Sequence, residues 1–179
     1  MKNISKLFFL VVISSFMLSC SSDDDATPII EKQNSLKVGD METELLSGFL
    51  QTDEPQNNLY AYGITLSDSE VNYVNGELVP VNNFSNTIVL EIYSDNPQMP
   101  AVGDYVFNDS AIVDANVLSN ANLILGLNYE DQSANIVEIE YGVLKISDNG
   151  TAYELSFDGI DEEDNQVSLY YKGTLEMIE

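Results

Sequence analysis

The residues that could perform chemistry are few in type, and they point to one sulfur atom and to carboxylates. The chain has 179 residues, no His and no Trp, and Cys20 is its single cysteine. A lone cysteine cannot form a disulfide within the chain or build a Cys/His metal site. The imidazole that most often acts as a general base is also missing. These absences remove the commonest catalytic groups, and Cys20 and the acidic side chains are the main candidates that remain.

Cys20 directly follows a segment typical of secretion signals. Two lysines precede the mostly apolar run Leu7–Leu18, which is shorter than the roughly 20 residues that a membrane-spanning helix needs. The small residue Ser19 then precedes Cys20. This arrangement resembles the lipobox of bacterial lipoproteins, with Met17–Leu18 where that family prefers Leu and a small residue. The resemblance implies cleavage before Cys20 and acylation of its sulfur and new amine. An ordinary secretory signal is the alternative.

The residues after the cysteine are small or acidic: Ser21, Ser22, Asp23, Asp24 and Asp25. They resemble the Ser/Asp-rich export signal of Bacteroidota lipoproteins, which implies an outer-membrane lipoprotein facing the cell surface. The periplasmic face is the alternative location, and a plain solvated linker is the alternative role. We predict a lipoprotein signal peptide at 1–19, a lipidated acidic tether at 20–34 and a single β-domain at 35–179.

The charge balance limits the partners. The chain has 6 basic and 30 acidic residues, a net charge of -24. Because two of the lysines lie in the predicted signal peptide, which has no acid, the mature part has a net charge of about −26. Such a surface repels nucleic acid. The expected contacts are the membrane, through the lipid anchor, and a glycan or protein partner.

An acidic loop at 158–165 is a candidate cation site. Its carboxylates include Asp158, Asp161 and Asp164, and Ca²⁺ prefers oxygen ligands of this kind. The loop lacks the ligand spacing of an EF-hand. A solvated hairpin tip is the simpler explanation of so many acids, so Ca²⁺ remains a weak candidate and no other cofactor is expected.

Carboxylates and tyrosines suggest two further sites. A glycosidase needs two acids about 5–10 Å apart, one of them with its pKa raised by burial. Glu138 and Glu140 share a strand face, which the pattern places towards solvent. Eight tyrosines could line a ligand surface or fill the edges of the core: Tyr60, Tyr62, Tyr73, Tyr93, Tyr141, Tyr153, Tyr170 and Tyr171. Core packing is the favoured explanation.

These residues must be positioned by β-strands, because hydrophobicity alternates with a period of two from Leu36 onward. The runs that fit this pattern are 35–38, 41–46, 59–67, 71–74, 77–79, 87–94, 105–107, 121–129, 136–147, 151–158 and 166–178, the shortest of them only three or four residues long. Asn75-Gly76 predicts a hairpin turn, and the parity shift after Gly142 predicts a bulge at that glycine. A short helix is possible only at 110–119. The prediction is an all-β, mostly antiparallel β-sandwich or β-barrel of about 8–10 strands.

The C-terminal half contains the segments Gly103–Phe107, Tyr141–Ile146, Tyr153–Asp158 and Tyr171–Leu175. This series resembles a module of small, mostly uncharacterised Bacteroidota lipoproteins, which implies a fold and a location but no activity. We expect a lipid-anchored protein with a non-enzymatic binding or envelope-structural role. The alternatives are a carboxylate-dependent carbohydrate-active enzyme, marked by a pocket with one shielded acid, and a lipocalin-like binder, marked by an open apolar interior.

Overall fold

The fold is known from a computed structural model, which describes residues 32–178 apart from 54, 56–57, 75–76 and 109–113. This part of the chain has no helix, and so none that could cross a bilayer. Its strands are β1 (Ser35–Val38), β2 (Met41–Glu44), β3 (Ser47–Thr52), β4 (Tyr60–Ser67), β5 (Val71–Val74), β6 (Glu77–Pro80), β7 (Phe84–Ser94), β8 (Gly103–Phe107), β9 (Val117–Asn128), β10 (Ser133–Asn149), β11 (Tyr153–Asp161), β12 (Gln166–Gly173) and β13 (Glu176–Ile178). The all-β prediction is confirmed.

Eleven of the strands form one sheet in the order β13-β3-β4-β7-β9-β8-β10-β11-β12-β1-β2, and β5 and β6 form a separate pair. The pairing is antiparallel except between β13 and β3 and between β8 and β9. Only Thr174 and Leu175 separate β12 from β13, although these strands lie near opposite ends of the order. The sheet must therefore curl until its ends approach each other, as in a barrel rather than a sandwich.

The interior is filled by the alternate residues of the long strands. Leu66, Ile88 and Leu123 stand level on β4, β7 and β9, and each is 0% exposed. Side chains of this size contribute about 1.5–3 kcal/mol each when they are fully buried. The same cluster includes Tyr105 on β8 and Phe157 on β11, which come from the other half of the sheet. The apolar side chains that alternate with a period of two along the strands thus form one continuous hydrophobic core.

Several local predictions were wrong. The predicted strand 166–178 is divided at Thr174 and Leu175 into β12 and β13, and β13 pairs with β3. Strand β3 was not predicted, because SGFLQT does not alternate. The pairing of β10 with β11 is irregular between Ile139 and Tyr141 and again between Ile146 and Asp148, rather than at Gly142. Residues 117–119 begin strand β9 instead of ending a helix, while 110–113 lie outside the described residues. In each case pairing with a neighbouring strand decided the structure, and the local pattern did not record it.

The adjacent tyrosines Tyr170 and Tyr171 lie on opposite faces of β12, and both are covered. Tyr171 belongs to the core, and Tyr170 on the opposite face is only 9% exposed. The ammonium of Lys32 lies 4.3 Å from the centre of the Tyr170 ring, and the Tyr170 hydroxyl donates to Glu154 Oε1 at 3.2 Å. The residues that precede β1 therefore contribute to covering the outer face of β12.

Candidate functional site

A fork in the sheet forms a surface groove, which we call the fork groove. Strands β9 and β10 pair as a hairpin from Asn128 and Ser133 up to Asn122 and Glu138, and beyond that point they separate. Strand β8 occupies the widening gap, with parallel pairing to β9 and antiparallel pairing to β10. Because β8 ends at Phe107, it does not reach the point where the two strands part. The space between is the candidate site.

The groove has a volume of about 660 Å³, an apolar floor and polar walls. Ala121 and Ile139, which are 2% and 3% exposed, belong to the buried core and form the floor. The walls carry amides, a hydroxyl and carboxylates, from Asn108, Ser119, Asn120, Asn122, Glu138 and Glu140. Small-molecule sites commonly combine an apolar base with a few convergent polar groups.

Hydrogen bonds hold both walls in place. On the β9 side, the Ser119 hydroxyl donates to Glu91 O at 3.2 Å, and Asn122 Nδ2 donates to Asn120 Oδ1 at 2.9 Å. On the β10 side, the Glu162 amide donates to Glu138 O at 2.9 Å, and the Glu138 amide donates to Glu162 Oε1 at 3.3 Å. Preorganised polar groups lose less entropy when a ligand binds.

An exposed aromatic ring stands at the rim of the groove. Strict alternation along 136–147 would place Tyr141 on the same side as the buried Val137 and Ile139, but Tyr141 is 67% exposed. The bulge between Ile139 and Tyr141 is the physical reason, because one extra residue reverses the alternation of the side chains. Val106 and Val143, a cross-strand pair on β8 and β10, are exposed nearby. Exposed aromatic and aliphatic groups beside a groove are typical of binding surfaces.

The lining favours a neutral or cationic ligand. None of the lining residues in the described part of the chain is Lys, and the acids Glu138 and Glu140 add negative charge. The amides of Asn120 and Asn122 can donate to and accept from hydroxyl groups. Both glutamates are exposed, so neither is the water-shielded acid that a glycosidase of the predicted type needs.

The predicted lipidation and export residues, Cys20 and Ser21–Asp25, lie outside the described residues. The three weak Ca²⁺ candidates are described. Asp158 is exposed on β11, Asp164 lies in the following turn, and Asp161 is 1% exposed. Within the described ranges, no group of three or more acidic side chains is arranged to hold a metal ion. Ca²⁺ binding stays a prediction.

Asp161 instead organises the turn between β11 and β12. Its Oδ1 accepts the amides of Glu163 at 3.0 Å and Asn165 at 2.8 Å, and its Oδ2 accepts Asn165 Nδ2 at 3.1 Å. The same turn supplies Glu162, which holds the β10 wall of the groove. The acidic loop thus has a positioning role that its composition alone did not reveal.

Four tyrosines fill the interior rather than line a ligand surface. They are the buried residues Tyr62, Tyr105, Tyr153 and Tyr171. The hydroxyls of three of them donate to backbone carbonyls: Tyr62 to Asn96 at 2.6 Å, Tyr105 to Ala101 at 2.8 Å, and Tyr171 to Thr174 at 2.7 Å. A lipocalin-like binder would need open space in the region that these side chains and the aliphatic core occupy.

Burial raises the pKa of these four tyrosines above the ordinary value of 10.0. The folded state therefore retains their protons longer than the unfolded state, and its stability should fall as the pH rises above about 10. Tyrosinate absorbance should show part of the 10 tyrosines ionising late in the native protein. In denaturant all should titrate together. Identical native and denatured titrations, with the fold intact, would contradict this assignment.

Comparisons with models of known protein families, with curated proteins and with solved structures find no match for this chain.

Proposed function

We propose that this chain is an exported lipoprotein, acylated on Cys20 and held on the outer membrane with its β-domain facing the cell exterior. The observation that carries the proposal is the position of the lone cysteine, one small residue after a 12-residue apolar run. Two or three acyl chains, at about 0.8 kcal/mol for each buried CH₂, hold a soluble domain on a membrane almost permanently.

The proposed role of the domain is non-enzymatic binding. The fork groove between β9 and β10, with its fixed polar walls and the exposed Tyr141 at its rim, is the surface best suited to it. The excess of acids and the absence of lysine from the described lining support a neutral or cationic group as the ligand, such as a glycan or a protein segment.

The anchor is tested by metabolic labelling. Cells that express the wild-type chain should incorporate labelled palmitate into it, and Cys20→Ala should abolish the incorporation completely, because the acylated sulfur is gone. Ser21→Ala is the matched control and should be labelled like the wild type. Equal labelling of Cys20→Ala and wild type would refute the anchor.

The cell-surface location is tested separately by protease treatment of intact cells. The wild-type domain should be degraded, and replacing Asp23, Asp24 and Asp25 with Asn should protect it while palmitate labelling continues. If the wild-type domain survives protease in intact cells but is degraded once the cells are lysed, the domain lies on the periplasmic face instead.

A further inference from the structure

The β5–β6 hairpin, residues 71–80, is an apolar projection outside the main sheet. Its two strands pair only with each other. Val74 and Val79 lie on one face and are 48% and 42% exposed, while Val81 and Phe84 in the following segment are 58% and 62% exposed. Exposed apolar groups concentrated on one hairpin and the short segment after it are unusual on a soluble surface and mark a site of contact.

This region is also nearly free of charge. Residues 71–84 contain one charged residue, Glu77, in a chain that has 30 acids. Two other exposed valines differ in this respect, because Val106 and Val143 share their strand face with the charged pair Asp104 and Lys145. Apart from Glu77, the cross-strand partner of Val74, this apolar surface avoids the desolvation penalty that acidic side chains would suffer against a lipid surface.

The base of the hairpin lies beside the start of the domain. The Leu46 amide donates to Ser67 O at 2.8 Å, and the Thr43 hydroxyl donates to Asp68 Oδ2 at 3.0 Å, so the segment after β2 is bonded to the residues that lead into β5. The next residue back, Leu45, donates its amide to Asn34 O at 3.2 Å. The point where the chain enters the domain is therefore close in space to the base of the hairpin.

The base is rigid as well as close. Asp68 accepts the backbone amide of Asn86 at 2.7 Å and its Nδ2 at 2.6 Å, and Asn86 Oδ1 accepts the Gly126 amide at 2.9 Å. Asp68 thereby joins the hairpin to β2, β7 and β9. A rigid base means that the hairpin keeps one orientation relative to the point where the tether enters.

We propose that the β5–β6 hairpin and the segment that follows it rest on the lipid bilayer to which the chain is anchored, with Val79 and Val81 in the interfacial layer. The inference rests on the proposed acylation of Cys20. Residues 20–31 can span at most about 40 Å when fully extended, at roughly 3.3–3.6 Å per residue. The anchor thus holds the hairpin at high effective concentration near the lipid, so weak apolar contact is sufficient.

The test uses the acylated full chain in phosphatidylcholine vesicles. Because the Cys20 sulfur carries the lipid, Val79→Cys and Val81→Cys each supply one free thiol for an environment-sensitive fluorophore. Val102→Cys is the matched control. Val102 is 55% exposed and follows the end of β7 that pairs with Tyr60, away from the Ser67 end of β4 where the hairpin begins. Mass spectrometry of each sample reports its acylation.

We expect vesicles of brominated phosphatidylcholine to quench the fluorophore at 79 and 81 and to leave the one at 102 bright. Absence of quenching at both 79 and 81 in acylated protein would overturn the membrane contact and leave the proposed function intact. Energy transfer between labelled hairpins at low protein density would overturn it in favour of a second copy of the chain. A mass without acyl groups would remove the proposed function itself, and this inference with it.

Discussion

Gly159→Ala should destabilise the domain by about 3 kcal/mol or more, because overpacking a filled interior costs 1–3 kcal/mol and a fixed backbone atom adds to it. A Cβ at position 159 would lie 2.5 Å from Cζ of Phe157 and would also clash with the carbonyl oxygen of Tyr141. Phe157 is 0% exposed, so its ring has no free space to enter. That loss is a large part of the 5–15 kcal/mol that holds a typical domain folded.

Gly142 is the cross-strand partner of Gly159, and the two glycines bracket the same ring. A Cβ at 142 would clash with the edge of Phe157, but the nearest backbone atom, Asp158 O, would be 3.1 Å away. Phe157→Leu should therefore relieve Gly142→Ala more than it relieves Gly159→Ala. A double-mutant cycle by urea denaturation measures the difference between the two couplings.

Gly63 is the matched control for both variants. It also lies in a strand, and the nearest atom to an added Cβ there is Gln51 Cβ at 3.7 Å, an ordinary contact. Gly63→Ala should be neutral or stabilising by up to about 1 kcal/mol, because alanine has less backbone entropy to lose. Equal losses at 63 and 159 would show that strand glycines matter for a general reason and not for the position of Phe157.

The strand pattern could be predicted from the sequence because one face of each long strand is buried. Ile64, Leu90 and Ile146 stand at the positions that alternation assigns to the core, and each is 0% exposed. Alternation gives the inward face of a strand, but it does not identify the neighbouring strand. Strand β3 was missed because its sequence does not alternate, and the parallel pairing of β13 with β3 left no local signal.

The groove could not be predicted for the same reason. Its opening depends on β8 entering between β9 and β10, a contact between segments far apart in the chain. Its rim depends on the bulge before Tyr141, although the predicted bulge was only a few residues away at Gly142. Gly142 has a different purpose, since the missing Cβ leaves room for Phe157. A shift in the alternation of apolar residues shows that a strand is irregular. Only the pairing with the neighbouring strand shows which residue is the extra one.

The role of Asp161 depends likewise on geometry that composition hides. Among the crowded acids at 158–164, this one is turned inward, and its oxygens are occupied by donors from its own turn. A carboxylate satisfied by several N–H groups can remain buried without a cation. The neighbouring acids are exposed, as expected for a solvated hairpin tip.

Asp161→Ala should accordingly destabilise the domain by about 3 kcal/mol, because hydrogen bonds to charged groups contribute 1.5–3 kcal/mol each and water replaces only part of them. Asp161→Asn is the conservative control, because its amide oxygen can still accept the Glu163 and Asn165 amides, and it should lose less. Asp158→Asn, a change of the same type at an exposed position, should leave the stability of the domain nearly unchanged. Thermal unfolding of the three variants gives the ranking.

The same variants separate the turn from a calcium site. If Asp161 acts only through the donors of its turn, Ca²⁺ should raise the midpoint of thermal unfolding no more than Mg²⁺ does at equal ionic strength, since both merely screen the acidic surface. A Ca²⁺ site built on Asp158, Asp161 and Asp164 predicts a specific rise in that midpoint, which Asp158→Asn and Asp164→Asn would abolish.

Because the turn also holds Glu162 against Glu138, the loss of order caused by Asp161→Ala should extend to the groove. Hydrogen exchange of the β10 amides near Glu138 should then be faster in Asp161→Ala than in Asp158→Asn.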